Sequence, residues 1–155
     1  MKNHLSTLNT NATDLTQLRK DLVVLFENVR KQRGLTKFGY VSGIISSDGD
    51  DKAERNIAIL AEHTEKIRYT SNFPIFSATD IFTKVLYEKL EETKKPRDER
   101  EAAFRTFWGE VLEMGKITDI FMTPRWEASG GAKDEHKTAQ RLGITIHYVE
   151  NYESK

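Results

Sequence analysis

Hydrophobic positions along the chain alternate between the spacing typical of helices and that typical of strands. After Asp14, which can cap a helix, apolar residues recur at helical spacing up to Gly34, which ends the pattern. Further helices are predicted over residues 52–68, 78–92, 99–114 and 131–142. Short apolar runs bounded by turn residues predict strands over residues 38–45, 73–77, 117–122 and 144–149.

This alternation predicts the fold class. Strands that alternate with helices form a largely parallel sheet with helices on both faces. We therefore predict a three-layer α/β fold of the Rossmann or flavodoxin-like type, with four to five parallel strands and an extra N-terminal helix. The charged residues 94–100 are predicted to form a solvated loop between two helices.

The predicted topology selects two loops as places for a ligand. In open parallel sheets, ligands bind outside the carboxyl ends of the strands. Residues 43–51 follow the first predicted strand, and residues 123–131 follow the third. Both loops are expected at that edge, where they can face one crevice.

The second loop ends in Ser129-Gly130-Gly131 at the start of a predicted helix. Exposed backbone N–H groups and the helix dipole favour an anion at such a position, and a phosphate or a carboxylate fits. A serine at a helix start is also simply an N-cap. Both interpretations stay open.

Glu135 stands out on the helix that follows. Helical geometry places it within the apolar stripe that includes Ala139 and Leu142, whereas Lys133 and Asp134 lie on the opposite side. Burying a carboxylate costs free energy unless it is paired, hydrogen-bonded or at the mouth of a pocket. Glu135 is therefore a candidate functional residue, the alternative being a boundary glutamate paired with a Lys or Arg.

Aromatic side chains and histidines give weaker signals. Trp126 lies beside the ligand loop, where an indole can stack on a base or seal the core. Trp108 is predicted to lie in the core or in a subunit interface. His136 borders the apolar stripe and is more typical of a packed residue than of a catalyst.

Composition excludes several classes of protein. The 155 residues contain 24 basic and 24 acidic side chains, so no basic surplus favours a nucleic-acid polymer as partner. There is no cysteine, and the four histidines are too scattered to predict a metal site. The start of the chain is polar and no apolar run is long enough to span a membrane. We expect a cytoplasmic, soluble protein without cofactor or metal.

Three short motifs together resemble the nucleoside 2-deoxyribosyltransferase-like superfamily. They are Tyr-Val-Ser-Gly over residues 40–43, Thr-Asp over residues 118–119, and W-E-A-S-G-G-A-K-D-E over residues 126–135. That superfamily includes deoxynucleoside 5'-monophosphate N-glycosidases and small proteins with a W-E-x-S-x-G-A-x-x-E pattern. The resemblance covers about residues 37–149, which predicts a domain over residues 37–155 after an extension over residues 1–36.

The resemblance implies roles for particular residues. Glu135 corresponds to the family's nucleophile, Ser129 to the serine that contacts the 5' end or phosphate, and Tyr40 and Gly43 to residues that line the sugar and base pocket. The family usually protonates the leaving base with an aspartate on the helix before the third strand, where this chain offers Glu110 as the nearest acid. The remaining candidate substrate-binding residues are Asp119, Trp126, Gly130 and Gly131.

Two classes of function follow from this resemblance. One is an enzyme that cleaves or exchanges the N-glycosidic bond of a nucleoside or nucleotide through a glutamate nucleophile. The other is a catalytically silent module that binds or senses a nucleotide on the same fold, because fold does not determine function. A third, the phosphoribohydrolase type with P-G-G-x-G-T-x-x-E, lacks its full signature here.

Apolar helix faces predict an assembly. Six large side chains on two predicted helices exceed what a small sheet can cover, so a homo-oligomer, at least a dimer, is expected. They are Leu18, Leu22, Phe26, Phe104, Phe107 and Trp108.

Overall fold

A computed structural model describes residues 8, 10–45 and 49–150 of the chain. Its four strands are all parallel and lie in the order β2-β1-β3-β4. The strands are β1 Gly39–Ser42, β2 Ile75–Ser77, β3 Asp119–Met122 and β4 Thr145–Tyr148. The predicted α/β fold with a parallel sheet is therefore confirmed.

Helices cover both faces of this sheet. They are α1 Leu15–Arg33, α2 Ala53–Thr70, α3 Ala78–Ile81, α4 Lys84–Lys89, α5 Arg97–Glu113 and α6 Gly130–Leu142. Side chains of α1, α5 and α6 pack with one face of the sheet in the larger hydrophobic core, whereas α2 packs on the other face around Val41 and Ile75. The result is the three-layer arrangement that the sequence predicts.

Helix α1 is bounded by the residues that its pattern predicts. The Asp14 side chain accepts a hydrogen bond from the backbone N–H of Gln17 at 2.8 Å, and Gly34 ends the helix in a left-handed conformation with φ 61°. Leu18, Leu22 and Phe26 are fully buried in the same core as the sheet. The helix therefore packs as part of the same unit as the sheet.

The apolar side chains from which an assembly is predicted are covered within the chain. Four of the six apolar side chains, Leu18, Leu22, Phe26 and Phe107, are almost completely buried within the chain itself. Trp108 is also buried, and Phe104 is half-buried against the core. These residues do not require a second subunit to cover them, and oligomerisation stays a prediction.

The segment predicted as one helix over residues 78–92 is broken into shorter pieces. Helix α3 starts with a capping box between Ser77 and Asp80, and it ends at Phe82. The Thr83 side chain then accepts a hydrogen bond from the backbone N–H of Leu86 and starts α4. The break arises because Thr83 offers a new N-cap in an extended conformation.

The charged segment is only partly the loop that the sequence predicts. Pro96 precedes the first residue of α5, so residues 97–100 form the first turn of this helix. Arg97 pairs with Glu101 one turn later, at 2.8 Å. The loop prediction is therefore wrong for residues 97–100, where pairing along the helix stabilises a charged first turn. The helix predicted over residues 99–114 is confirmed, and it starts two residues earlier.

Parts of the predicted segments are not among the described residues. Residues 46–48 of the first ligand loop, His4 and residues 151–155 of the predicted domain lie outside them. Within the described part of the chain, no helix is both long enough and apolar enough to cross a membrane.

Candidate functional site

A cavity of about 990 Å³ opens beside the carboxyl ends of the strands. Its lining includes Gly43 directly after β1, Ala78 directly after β2 and Ser129 in the loop after β3. Strands β2 and β4 lie on opposite sides of the β1-β3 pair, so the connection from β1 to β2 and that from β3 to β4 run in opposite directions across the sheet. In flavodoxin-like sheets, ligands bind at the point between two such strands. The volume is at the upper end of the range for small-molecule sites.

Glu135 lies on the wall of this cavity and is buried, with 8% of its surface exposed. The Ser42 hydroxyl donates a hydrogen bond to Glu135 Oε1 at 2.6 Å, and the Tyr40 hydroxyl donates another to the same carboxyl. Both donors come from β1, at alternate positions on the face covered by α6. The carboxyl is therefore held by two neutral hydroxyls.

This environment changes the acidity of both partners. Burial raises the pKa of Glu135 to about 7, although the hydrogen bonds from Ser42 and Tyr40 act in the opposite direction. Burial and the adjacent carboxylate raise the pKa of Tyr40 well above its usual value, so Tyr40 keeps its proton and remains a donor. Near neutral pH, a substantial fraction of Glu135 is therefore ionised, which is the form that a general base or a nucleophile requires.

Gly43 is needed for the close approach of β1 and β3. A Cβ at this position would overlap the Thr123 Oγ1 atom. The Thr123 backbone N–H and its hydroxyl both donate to the Ser42 carbonyl oxygen, each at 3.0 Å. The absence of a side chain at residue 43 thus lets Thr123 fix the end of β1.

The N-terminus of α6 forms another part of the wall. Ser129 is the N-cap, and its hydroxyl accepts a hydrogen bond from the Ala132 N–H at 3.1 Å. The guanidinium of Arg105 lies against Gly130 and pairs with Asp134 at 2.7 Å. The predicted capping role of Ser129 is confirmed, and Arg105 adds a cation beside the predicted anion site.

Aromatic side chains cover much of the remaining wall. The Trp108 ring stacks on Tyr40 with 4.8 Å between centroids, and Phe82 packs edge-on against both Trp108 and Phe104. All four rings line the cavity. Such a surface suits a flat, weakly polar group such as a nucleobase.

Charged side chains complete the lining. Arg100, Glu101 and Arg105 lie on α5 together with Phe104 and Trp108, at spacings that place them along one face of the helix. Glu54 on α2 and Lys84 on α4 also line the cavity. The cavity therefore combines acidic, basic and aromatic surfaces.

Six of the nine predicted site residues line this cavity. They are Tyr40, Gly43, Ser129, Gly130, Gly131 and Glu135. Their convergence comes from β1, from the loop after β3 and from α6, which the topology brings to one edge of the sheet.

The other three predicted site residues lie elsewhere. Glu110 is largely exposed and pairs with Arg19 at 3.2 Å. Asp119 is the first residue of β3, at the end opposite to the cavity, where His147 lies 2.8 Å from its carboxyl. Trp126 stacks on His136, with 4.3 Å between ring centroids, and does not line the cavity.

Several residues of the site were not predicted from the sequence. Ser42 belongs to the Tyr-Val-Ser-Gly motif, and its position at the end of a predicted strand was the available signal. The other unpredicted residues lie on α5 at helical spacing and are Phe104, Arg105 and Trp108. One side of α5 packs in the core and an adjacent side lines the cavity, so its hydrophobic periodicity does not show which residues face the cavity. Among the described residues, no three His, Cys, Asp or Glu side chains cluster in a way that suits a metal ion.

Comparisons with known proteins leave the family open. No family model matches the chain, and neither a curated protein nor a solved structure matches it. The resemblance to the nucleoside 2-deoxyribosyltransferase-like superfamily accordingly rests on the three motifs alone.

Proposed function

We propose that the protein cleaves or exchanges the N-glycosidic bond of a nucleoside or nucleotide, with Glu135 as the nucleophile. The observation that carries this proposal is a buried carboxyl, on the wall of a cavity, held by hydroxyl donors. Burial without a compensating cation costs free energy, so the position favours a functional role over a packing role.

The reaction has two steps. A Glu135 carboxylate oxygen attacks the anomeric carbon, the C–N bond breaks, and the base leaves with the bonding electrons and takes up a proton. Water, or a second base, then attacks the same carbon, and the ester bond to Glu135 breaks to restore the carboxylate. Tyr40 and Ser42 hold the carboxyl in place during both steps.

Glu101 is a better candidate than Glu110 for the acid that protonates the leaving base. Both lie on α5, the helix before β3, but only Glu101 lines the cavity. Glu101 also pairs with Arg97 at 2.8 Å, so this pair would have to open and the carboxyl take up a proton before Glu101 could donate to the base. The aromatic wall formed by Phe82, Phe104 and Trp108 would stack on the departing base.

A 5'-phosphate would bind at the start of α6 in this proposal. The helix dipole favours an anion there, and the Arg105 guanidinium lies beside Gly130, where it already pairs with Asp134. The substrate would then extend from this anion site to the carboxyl of Glu135, one turn further along the same helix.

The test is release of free base from a panel of nucleosides and their 5'-monophosphates, measured by chromatography. We expect both Glu135→Ala and Glu135→Gln to abolish turnover while ligand binding survives, because each removes the nucleophilic carboxylate and leaves the rest of the cavity intact. Glu110→Gln is the matched control on α5 and should retain activity, whereas Glu101→Gln should slow the reaction. Full activity in Glu135→Gln would overturn the proposed mechanism.

The same panel distinguishes the second candidate function, a silent nucleotide-binding module. The exposed position of Glu110, away from the cavity, favours that candidate because the second acid that the resemblance implies does not reach the cavity. If a panel member binds but is not cleaved, the module is supported and the enzymatic proposal fails.

A further inference from the structure

We infer that Ser42 is a positioning residue that orients the Glu135 carboxyl toward the cavity. This inference rests on the proposed function of Glu135 and concerns how the chain holds that side chain. Ser42 is 1% exposed and lies at the last position of β1. Its hydroxyl donates to Glu135 Oε1 at 2.6 Å, across 93 positions of sequence.

The main chain of Ser42 is itself fixed by the neighbouring strand. Its carbonyl oxygen accepts hydrogen bonds at 3.0 Å from both the N–H and the hydroxyl of Thr123, which follows β3. This double contact requires residue 43 to lack a side chain, because a Cβ there would overlap Thr123 Oγ1. The Ser42 hydroxyl thus starts from a main-chain position that two strands define.

The hydroxyl determines how Glu135 is oriented. A carboxyl that accepts one hydrogen bond can still rotate about it, whereas donors from both Ser42 and Tyr40 define the plane of the group. Both hydrogen bonds are stronger to the charged carboxylate than to the neutral acid, so both donors favour the ionised form and lower the pKa of Glu135. Removal of Ser42 Oγ therefore leaves Glu135 less ionised and less well oriented.

Other titratable groups near Glu135 also act on its pKa. On α6, Asp134 raises the pKa of Glu135, and on β1 the Tyr40 hydroxyl lowers it. The charged side chains that line the same cavity are Glu54 on α2, Lys84 on α4, and Arg100, Glu101 and Arg105 on α5. Each of these is unchanged by a substitution at Ser42, so the effect of that substitution reports on the Ser42 hydroxyl.

The test measures ionisation of Glu135 directly, by carbon NMR titration of protein labelled at glutamate carboxyls, with the Glu135 signal identified by its loss in Glu135→Gln. We expect Ser42→Ala to raise the pKa of Glu135 by about one unit or more, which corresponds to an about tenfold higher affinity of the carboxylate for its proton. Ser42→Thr keeps the hydroxyl and should restore the original titration. If Ser42→Ala does not fold, Ser42→Cys has a similar volume but a weak donor and carries the same expectation.

A matched control comes from the neighbouring strand. Ser77 is the last residue of β2 and is as buried as Ser42, but its hydroxyl contacts Thr79. Ser77→Ala should leave the titration of Glu135 unchanged. An unchanged Glu135 titration in folded Ser42→Ala would overturn the positioning role.

Kinetics provide the second measurement once a substrate is found. Ser42→Ala should lower kcat more than it raises KM, and the acidic limb of the pH profile should move to higher pH, because more Glu135 is protonated. Absence of any cleaved substrate with the wild-type protein would count against the proposed function alone. The NMR titration would still decide the role of Ser42.

Discussion

The buried carboxyl of Glu135 makes the free energy of unfolding depend on pH. Its pKa is about 7 in the folded protein and 4.5 in an exposed glutamate. Between these values the folded state keeps a proton that the unfolded state releases, so stability falls as pH rises through this window. Above pH 7 the full cost of the buried charge, on the order of 3 kcal/mol, opposes folding.

Glu135→Gln tests this cost. The neutral amide should raise the free energy of unfolding by roughly 1–3 kcal/mol at pH 8 and change it much less at pH 4.5, where the native carboxyl is already protonated. Urea unfolding at the two pH values measures the difference. Glu127→Gln, at an exposed glutamate near the same helix, is the control and should change little at either pH. An equal effect of Glu135→Gln at both pH values would contradict the raised pKa.

At the scale of elements, α1 joins the sheet through one narrow apolar stripe. Leu18, Leu22 and Phe26 follow each other by four positions, so they lie on one face of the helix and reach the same core as Phe38 and Phe76. The Phe26 ring lies 5.6 Å from Phe38 and 5.3 Å from Phe76. This stripe attaches the N-terminal helix to the domain that follows it.

Two substitutions on α1 separate burial from helix propensity. Leu22→Ala should lower the free energy of unfolding by about 2–5 kcal/mol, because it opens a cavity in the core. Val24→Ala, at a side chain that is 56% exposed, should change it by less than about 1 kcal/mol. Denaturant unfolding of both variants measures the comparison. Similar small effects at both positions would show that α1 is not packed on the sheet in solution.

At the scale of the whole molecule, the two tryptophans report on different regions. Trp108 lies between the core and the cavity, where it stacks on Tyr40, whereas Trp126 stacks on His136 outside the cavity. These are the two tryptophans of the chain. A ligand in the cavity therefore changes the surroundings of one indole and not those of the other.

Fluorescence titration with the nucleoside 5'-monophosphates, in a Glu135→Gln background that prevents turnover, tests this arrangement. The Trp126→Phe variant keeps Trp108 as its only tryptophan. In this variant, a bound ligand should change the fluorescence by at least as large a fraction as in the protein that keeps both tryptophans. In Trp108→Phe the change should be largely lost, because Trp126 does not line the cavity. A signal that follows Trp126 instead would place the ligand on another surface.

Residue order along the chain was sufficient to predict the elements and their layers. Asp14 and Gly34 bound α1, Gly143 ends α6, and apolar runs mark the strands, of which β1, β2 and β3 are buried and β4 is a partly exposed edge strand. Capping, turn formation and the burial of short segments all act on neighbouring residues. The same local periodicity placed Glu135 on the buried side of α6. These features need no knowledge of which segment lies beside which.

Tertiary structure alone decided what surrounds Glu135. Ser42 and Glu135 are 93 positions apart, and their contact exists because β1 and β3 are neighbours and α6 returns over them. The direction of Glu110 toward Arg19, and that of Glu101 toward the cavity, depends on how α5 is rotated against α1, which the mixed pattern of α5 does not reveal. Likewise, the apolar face of α1 is covered by the chain's own sheet, because packing partners are chosen in space and not along the sequence.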